Sequence, residues 1–259
     1  EPVIRRAVSA AMREMGEQFV LGRTIDEAVH RGGTMTSKGY LYSYDMLGEA
    51  ARTEADAMRY LRAYADAISA LNSGANGPEV RYNPGISVKL SALHPRYSQA
   101  QHETMLPEMA ERLLSLALAA SHAKMGLNID AEEADRLDLS LDVIERVLAD
   151  PRLAEWEGFG VVVQAYGPRA AFVIDWLYEL ATRLDRTIMV RLVKGAYWDT
   201  EIKRAQVMGL SGYPVFTRKV NTDVSYVACA RKLLGMTDRI YPQFATHNAL
   251  TVASIVERA

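Results

Sequence analysis

The sequence predicts an α/β fold, a TIM-like (β/α)8 barrel of which about six βα units lie within the 259 residues. Three observations predict it. Six apolar, strand-like runs alternate with helical stretches, which is typical of right-handed βαβ units and a parallel sheet. A polar residue stands near the end of each run, and in a barrel those ends converge on one mouth. No run is followed by G-x-G-x-x-G or a Walker motif, so the nucleotide-binding open sheets lack their usual signature.

Each strand is predicted from a short run of β-branched, aliphatic or aromatic residues. In chain order the predicted strands are 40–47, 85–93, 126–130, 159–166, 187–195 and 240–248. The helices are predicted from apolar residues spaced three and four apart, and the one after the first strand begins at Thr53 with a capping box, "TEAD". The other predicted helices cover 2–20, the stretch from Leu106 to Leu116, Leu137 to Leu148, 170–184, 199–209, 221–235 and a segment from Leu250.

Composition limits the function classes. With 49% hydrophobic and 24% charged residues, the chain has the composition of an ordinary globular protein. We expect an N-terminal helical segment at 1–38 and the barrel at 39–259. The net charge of -2 and the lack of a basic tract argue against a nucleic-acid partner for this segment. The single cysteine, Cys229, excludes an internal disulfide framework and favours a reducing cytoplasm.

The polar residues at the strand ends are the first candidates for a site. They are Asp45, Lys89, Asp130, Gln164, Arg191 with Lys194, and His247. Arg191 stands inside the apolar run 188–193, and burying an unpaired guanidinium costs on the order of several kcal/mol. We therefore expect Arg191 to pair with one of the aspartates and also to contact a ligand.

Several of these residues also have a purely structural interpretation. Lys89 could extend along an outward face, and Gln164 could satisfy backbone groups at its strand end. Only Asp130 borders the strand in the acidic run 130–135, so we expect the later carboxylates to cap or solvate the next helix. Tyr197 and Trp198 could be core aromatics or contacts for a planar ligand. The carboxylates lack a His or Cys partner at metal-ligand spacing on one element, so no metal site is predicted.

Several longer motifs resemble one known family. They are "YSYDMLGEAA", "GISVKLSALHPRYS", "NIDAEEADRL", "RLVKGAYWD", "YPVFTRKVNTDVSY" and "YPQFATHNA". They resemble the proline dehydrogenase domain of bacterial proline utilization A proteins, from the first residue to the last. The resemblance implies a distorted barrel that holds FAD non-covalently and oxidises L-proline to Δ1-pyrroline-5-carboxylate. It also implies a cytoplasmic parent protein that passes electrons to a membrane quinone, associates peripherally with the membrane, and carries an aldehyde dehydrogenase domain that makes glutamate.

The resemblance also assigns roles to individual positions. Arg191 matches an arginine that hydrogen-bonds the hydride-accepting flavin nitrogen, where a fixed positive charge stabilises developing negative charge. Asp130 matches an active-site aspartate. The implied substrate-binding residues are Lys89, Asp45, Ala196 and Tyr197. The implied flavin-binding residues, besides Arg191, are Ala131, Gln164, Val193, Lys194, Gly195, Thr217, Thr246, His247 and, at the adenine end, Trp198.

Two other functions are compatible with the residues alone. A lyase could form a Schiff base through Lys89 or Lys194, since barrel lysines beside carboxylates perform that chemistry. The segment could also be an inactive scaffold within a larger protein. The sequence starts at Glu1 without a methionine, and six strands are fewer than the eight of a closed barrel. We therefore expect a slice of a longer chain. By itself it should bind FAD poorly and hardly oxidise proline, because the resembled domain continues through two more strands to a helix whose arginine pair binds the proline carboxylate.

Overall fold

The computed structural model describes residues 2–17 and 20–259, in which strands and helices alternate along the chain. The strands are β1 Ser43–Asp45, β2 Gly85–Val88, β3 Gly126–Ile129, β4 Phe159–Gln164, β5 Ile188–Val193 and β6 Ile240–Phe244. The helices are α1 Pro2–Glu17, α2 Ile25–Thr36, α3 Glu54–Asn72, α4 Leu90–Leu93, α5 His102–His122, α6 Leu137–Leu148, α7 Ala170–Arg183, α8 Trp198–Val207, α9 Lys219–Leu234 and α10 Ala249–Val256.

One parallel sheet contains these six strands in the order of the chain, β1-β2-β3-β4-β5-β6. Tyr44 lies opposite Ile86 in the first pair, and Val190 lies opposite Pro242 in the last. In a doubly wound sheet the strand order reverses at a switch point. Here each crossover moves one strand in the same direction, and right-handed crossovers of that kind place the helices on one face and curl the sheet. The predicted barrel architecture is therefore confirmed over the open doubly wound sheet.

The strands are shorter than predicted. The run predicted as strand 85–93 divides into β2 and the short helix α4, whose Leu90 and Leu93 are fully buried. A continuous apolar run is compatible with either structure, so periodicity cannot locate the boundary. Helix α2 was not predicted; the Thr24 hydroxyl caps its N-terminus by accepting a hydrogen bond from the Glu27 N–H. The predicted helix at 2–20 is observed as α1, and residues 18–19 lie outside the described residues.

The core lies between the sheet and the helices that cover it. The predicted capping box at the start of α3 is confirmed, because the Asp56 N–H donates to Thr53 Oγ1 and the Thr53 N–H donates to Asp56 Oδ2, both at 3.1 Å. The largest fully buried side chains include Tyr64, Tyr226, Phe159, Ile86, Leu90, Leu93, Met105, Met109, Leu113, Leu116, Met125 and Leu127. This packing fixes β2 to β5 from the helical side and leaves their carboxyl ends facing one opening.

Candidate active site

A cleft of about 710 Å³ opens at the carboxyl ends of the strands, and we call it the mouth cleft. Twelve of the fifteen residues predicted for the site line it: Asp45, Lys89, Asp130, Ala131, Gln164, Val193, Lys194, Gly195, Ala196, Tyr197, Thr246 and His247. The other three, Arg191, Trp198 and Thr217, lie outside this lining. The strand-end pattern therefore brings most of the predicted residues together, while their individual roles stay predictions.

Lys89 is the centre of a charge cluster at the mouth cleft. It is the first residue after β2, and its Nζ donates to Asp45 Oδ1 and to Asp130 Oδ2, both at 2.9 Å. The side chains of Lys89 and Asp130 are only 15% and 18% exposed, whereas that of Asp45 is 56% exposed. Burial lowers the pKa of Lys89, but the hydrogen bonds that its Nζ donates to Asp45 and Asp130 outweigh burial and hold the pKa above its ordinary value. The charged ammonium form of Lys89 is therefore favoured.

Burial affects the pKa of Asp130 more than its hydrogen bond from Lys89 does. Burial raises the pKa of its carboxyl above the ordinary value, although the hydrogen bond from Lys89 acts in the opposite direction. The Asp130 backbone N–H also donates to the Val88 carbonyl at 2.9 Å, which fixes the residue beside the end of β2. The Asp130 carboxyl is thus held in a mostly buried position next to the Lys89 ammonium.

Arg191 lies below the mouth cleft. It precedes Val193 by two residues on the same face of β5, so it begins about 7 Å further into the sheet. Its two terminal nitrogens donate to Ser87 Oγ at 3.0 Å and to Ser43 Oγ at 2.8 Å. Burial lowers the pKa of the guanidinium below its ordinary value, and Asp130 and Asp45 oppose that shift.

The expectation that Arg191 pairs with an aspartate is wrong for the residues that the structure describes. Its hydrogen bonds go to hydroxyl groups, and no carboxylate forms an ion pair with it there. The physical reason is the position of Lys89, which directly follows β2, the strand between those of Asp45 and Asp130, and donates to an oxygen of each aspartate. The aspartates act on Arg191 only through their charge at longer range.

A chain of hydrogen bonds links five successive strand-to-helix loops, and we call it the loop network. The Ala50 N–H donates to Ser91 Oγ at 3.0 Å, and the Ser91 N–H donates to Glu132 Oε1 at 2.9 Å. Gln164 Nε2 then donates to the Glu132 carbonyl at 2.9 Å, and the Ala196 N–H donates to Gln164 Oε1 at 3.0 Å. The network therefore fixes the loops after β1 to β5 relative to one another.

Two sequence interpretations are affected by the loop network. Gln164 does satisfy backbone groups, but those groups belong to the neighbouring loops. The expectation that Glu132 caps or solvates the next helix is wrong, since its carboxylate is buried against Ser91 and pairs with Arg136 at 3.1 Å. Burial raises the pKa of Glu132 above its ordinary value.

The loop after β5 begins with a tight turn at Gly195. Its φ is +140°, and a Cβ added there would lie 2.3 Å from the Tyr166 ring. Only glycine permits this close approach, which places Tyr197 over the mouth cleft. Tyr197 Oη donates to Glu49 Oε2 at 3.4 Å, so this loop touches the loop after β1.

Trp198 and Thr217 form a second surface beside the mouth cleft. Trp198 Nε1 donates to the carbonyl of Phe216 at 2.9 Å, so the indole is fixed next to Thr217. The indole N–H is thereby used, and the 41% exposed side chain is left with its aromatic face for a ligand. Lys194, at the near end of this surface, forms an ion pair with Asp223.

Metal clusters and membrane-spanning helices are both absent from the part of the chain that the structure describes. Within 2–17 and 20–259, no group of three or more His, Cys, Asp or Glu side chains is placed to hold a metal ion. No helix in the same residues has both the length and the apolar character needed to cross a membrane.

The sequence matches the family model for proline dehydrogenase over residues 28–259. The chain belongs to the proline dehydrogenase family. Membership of this family of oxidoreductases implies a flavin cofactor in general terms. The matched residues include all six strands and every residue of the mouth cleft.

Longer proteins with a proline dehydrogenase segment are similar to this chain. The bifunctional protein PutA of Klebsiella aerogenes is 59% identical over 259 residues, which is 100% of this chain and 20% of that protein. A structure of a proline utilization A variant from Bradyrhizobium japonicum is 56% identical with a TM-score of 0.89, and covers 100% of this chain and 26% of that one. Proline utilization A from Bdellovibrio bacteriovorus, inactivated by N-propargylglycine, is 28% identical with a TM-score of 0.93, and covers 99% and 28%. The chain thus spans about a fifth of the length of the curated relative.

The sequence analysis of this proline dehydrogenase segment missed several residues that hold the site together. They are Ser43, Ser87, Ser91, Glu132 and Asp223. A usable signal existed for two of them, because Ser43 and Ser87 each precede a predicted site residue by two positions and so share its face of the strand. No such signal exists for Ser91 or Glu132, whose contacts join loops 41 residues apart.

Proposed function

We propose that the chain is the FAD-dependent L-proline dehydrogenase segment of a longer bifunctional protein, converting L-proline to Δ1-pyrroline-5-carboxylate. The observation that carries this proposal is the family match, which extends over all six strands that build the mouth cleft. A shared fold alone does not establish an activity. Here the matched residues also supply the charge cluster around Lys89, apolar walls and the exposed indole of Trp198.

The residues present fit a flavin. The mouth cleft is walled by apolar side chains such as Val162 and Val193, and its volume lies within the range of about 300–1,000 Å³ typical of ligand sites. Arg191 supplies a partly buried positive charge below the cleft, and the Gln164 side chain lines the cleft. The exposed face of Trp198 suits stacking with a planar group such as adenine.

FAD, when bound, supplies the hydride acceptor. We assign the residues around it by their charge. Arg191 presents a positive charge that stabilises negative charge developing in the transition state. Lys89 uses two of its three N–H donors on Asp45 and Asp130, so one is left for the carboxylate of proline. The two aspartates attract the ring ammonium of the amino acid, and Tyr197 covers the cleft.

The Schiff-base lyase gains no support. Attack on a carbonyl requires a neutral amine, whereas Asp45 and Asp130 hold the pKa of Lys89 above its ordinary value. Lys194 is engaged by Asp223. The family match also points away from a lyase, and it concerns an enzyme family rather than a scaffold.

An anaerobic spectrum tests the proposal. The purified full-length parent protein should be yellow, and excess L-proline should bleach its flavin absorbance. Arg191→Met should slow this reduction by at least about tenfold, since losing one preorganised donor costs roughly 2.7–4 kcal/mol. Flavin that is retained but not bleached by proline would favour the inactive scaffold, and a colourless protein trapped by borohydride with a carbonyl compound would favour the lyase.

N-propargylglycine gives an independent test. It inactivated the proline utilization A of Bdellovibrio bacteriovorus, and it shares a secondary amine and a carboxylate with proline. We expect it to inactivate this protein irreversibly and L-proline to protect against it. Equal inactivation with and without proline would contradict a shared site.

The parent protein extends the proposal. We propose that the electrons pass to a membrane quinone, that the parent is cytoplasmic and associates peripherally with the membrane, and that a fused aldehyde dehydrogenase domain makes glutamate. The similarity to bifunctional PutA proteins supports the fused domain. Proline-dependent reduction of a soluble quinone analogue by the full-length protein tests the electron acceptor, and its absence would count against it.

A further inference from the structure

Arg191 is held in an unusual way for a partly buried cation. Its two terminal nitrogens donate hydrogen bonds to the hydroxyls of Ser87 and Ser43, at 3.0 and 2.8 Å. These serines lie 104 and 148 residues before Arg191 in the chain. They come from β2 and β1, so the guanidinium reaches across the curled sheet from β5 to its opposite side.

Two carboxylates that could pair with Arg191 lie near it. Asp45 and Asp130 are near enough to raise the pKa of Arg191 through their charge, yet neither forms an ion pair with it. Asp45 lies opposite Ser87 in the register of β1 and β2, and Ser43 precedes Asp45 by two residues on the same face. A guanidinium released from the hydroxyls would therefore find a carboxylate within a short side-chain movement.

The chemical difference between these partners concerns charge. A hydroxyl oxygen accepts a hydrogen bond and fixes the direction of the N–H groups, but it leaves the full positive charge of the cation in place. A carboxylate would fix the guanidinium equally well and would cancel most of its field at a nearby ligand. Ser87 is 2% exposed, so water cannot readily replace it as the acceptor.

We propose that Ser43 and Ser87 are positioning residues of the reaction, whose hydroxyls hold the Arg191 guanidinium below the mouth cleft without neutralising it. This inference rests on the proposed function, because the charge of Arg191 would act on a bound flavin. Neither serine is proposed to contact the substrate. Both act through the direction and the uncompensated charge of Arg191.

The reduction potential of the bound flavin is the decisive measurement. It is obtained by reductive titration of the flavin-loaded protein with dithionite and a reference dye, without proline. Reducing a flavin adds negative charge, so a weaker cation beside it makes reduction harder. We expect a negative shift of potential in Ser43→Ala combined with Ser87→Ala, and a larger one in Ser43→Asp, where an exposed carboxylate is placed beside the guanidinium. The rate constant for reduction by proline should fall about tenfold in the double variant, since hydrogen bonds to charged groups are the stronger class.

Matched variants separate this role from a merely structural one. Ser87→Thr keeps the hydroxyl and should keep the potential, and Ser140→Ala removes a half-buried helix hydroxyl that donates to the Leu137 carbonyl and does not contact Arg191. In an Arg191→Met background, the two serine substitutions should shift the potential no further, because their effect passes through the guanidinium. An unchanged potential in the double alanine variant, or an equal shift in the Arg191→Met background, would overturn the inference. Failure of proline to bleach the unmutated protein would instead overturn the proposed function.

Discussion

Replacing Lys89 with methionine should destabilise the protein in a way that depends on pH. The substitution leaves Asp130, which is only 18% exposed, without the ammonium that lies 2.9 Å from its Oδ2. Breaking a buried pair by removing one partner costs about 3–5 kcal/mol. The contact with Asp45 adds little, because that carboxylate is 56% exposed and exposed pairs contribute about 0.2–1 kcal/mol. We therefore expect a loss of about 3 kcal/mol at pH 8.

The pH dependence follows from Asp130. Its pKa is already raised by burial, and without Lys89 it rises further. A carboxyl whose folded pKa exceeds its unfolded value destabilises the folded state as the pH rises between the two values, and it costs nothing below both. The loss in free energy of unfolding caused by Lys89→Met should therefore fall at pH 5 to about half its value at pH 8. Each pH unit between the folded and unfolded pKa values of Asp130 changes the free energy of unfolding by about 1.4 kcal/mol.

Urea unfolding at pH 5 and pH 8 measures this directly, with Asp45→Asn as the matched control. The control removes one carboxylate of the same cluster from its exposed side, so it should lose less than about 1 kcal/mol at either pH. A deficit in Lys89→Met that is equal at the two pH values would refute the reasoning. So would an Asp45→Asn variant that is as unstable as Lys89→Met.

Three further predictions concern backbone positions and caps, each measured by urea unfolding. Gly195→Ala should cost more than about 3 kcal/mol and displace Tyr166, because a Cβ would meet its ring at 2.3 Å; wild-type stability would contradict the tight turn. Ser91→Ala should cost about 1 kcal/mol through the acceptor lost by the Ala50 N–H, and a neutral effect would show that the loop network is not needed there. Thr53→Ala should cost about 1 kcal/mol, with Thr53→Ser nearly neutral; equal losses would exclude the cap.

The positions of the site residues were predictable because one rule covers them. The carboxyl ends of parallel strands meet at one edge, so Asp45, Lys89 and Asp130 had to be neighbours once their strands were placed. The strand boundaries were less predictable. Leu90 and Leu93 extend the apolar run of β2 into α4, and a buried helix turn has the same composition as a buried strand. The division of the chain at residue 38 stays a prediction.

The sequence places Ser43 and Ser87 on the same strand faces as predicted site residues, but it does not predict that they are the partners of Arg191. Its two serines are more than a hundred residues away, and which side chains meet across a curled sheet depends on the reach of each one. Sequence reasoning weighed only charge and so favoured an aspartate. Lys89 donates hydrogen bonds to both Asp45 and Asp130, so it competes with Arg191 for these two aspartates. This competition is visible only in the three-dimensional structure.

The sheet order has a consequence for the synthesis of the chain. Because β1 to β6 lie side by side in the order in which the ribosome makes them, each new strand finds its partner at the edge already formed. The helix made between two strands can cover the face of the sheet as soon as the second strand pairs, so little apolar surface stays exposed until distant residues are made. A sheet whose order reversed would leave its first strands exposed until much later in translation. This order therefore suits a chain that begins to fold while it is still being made.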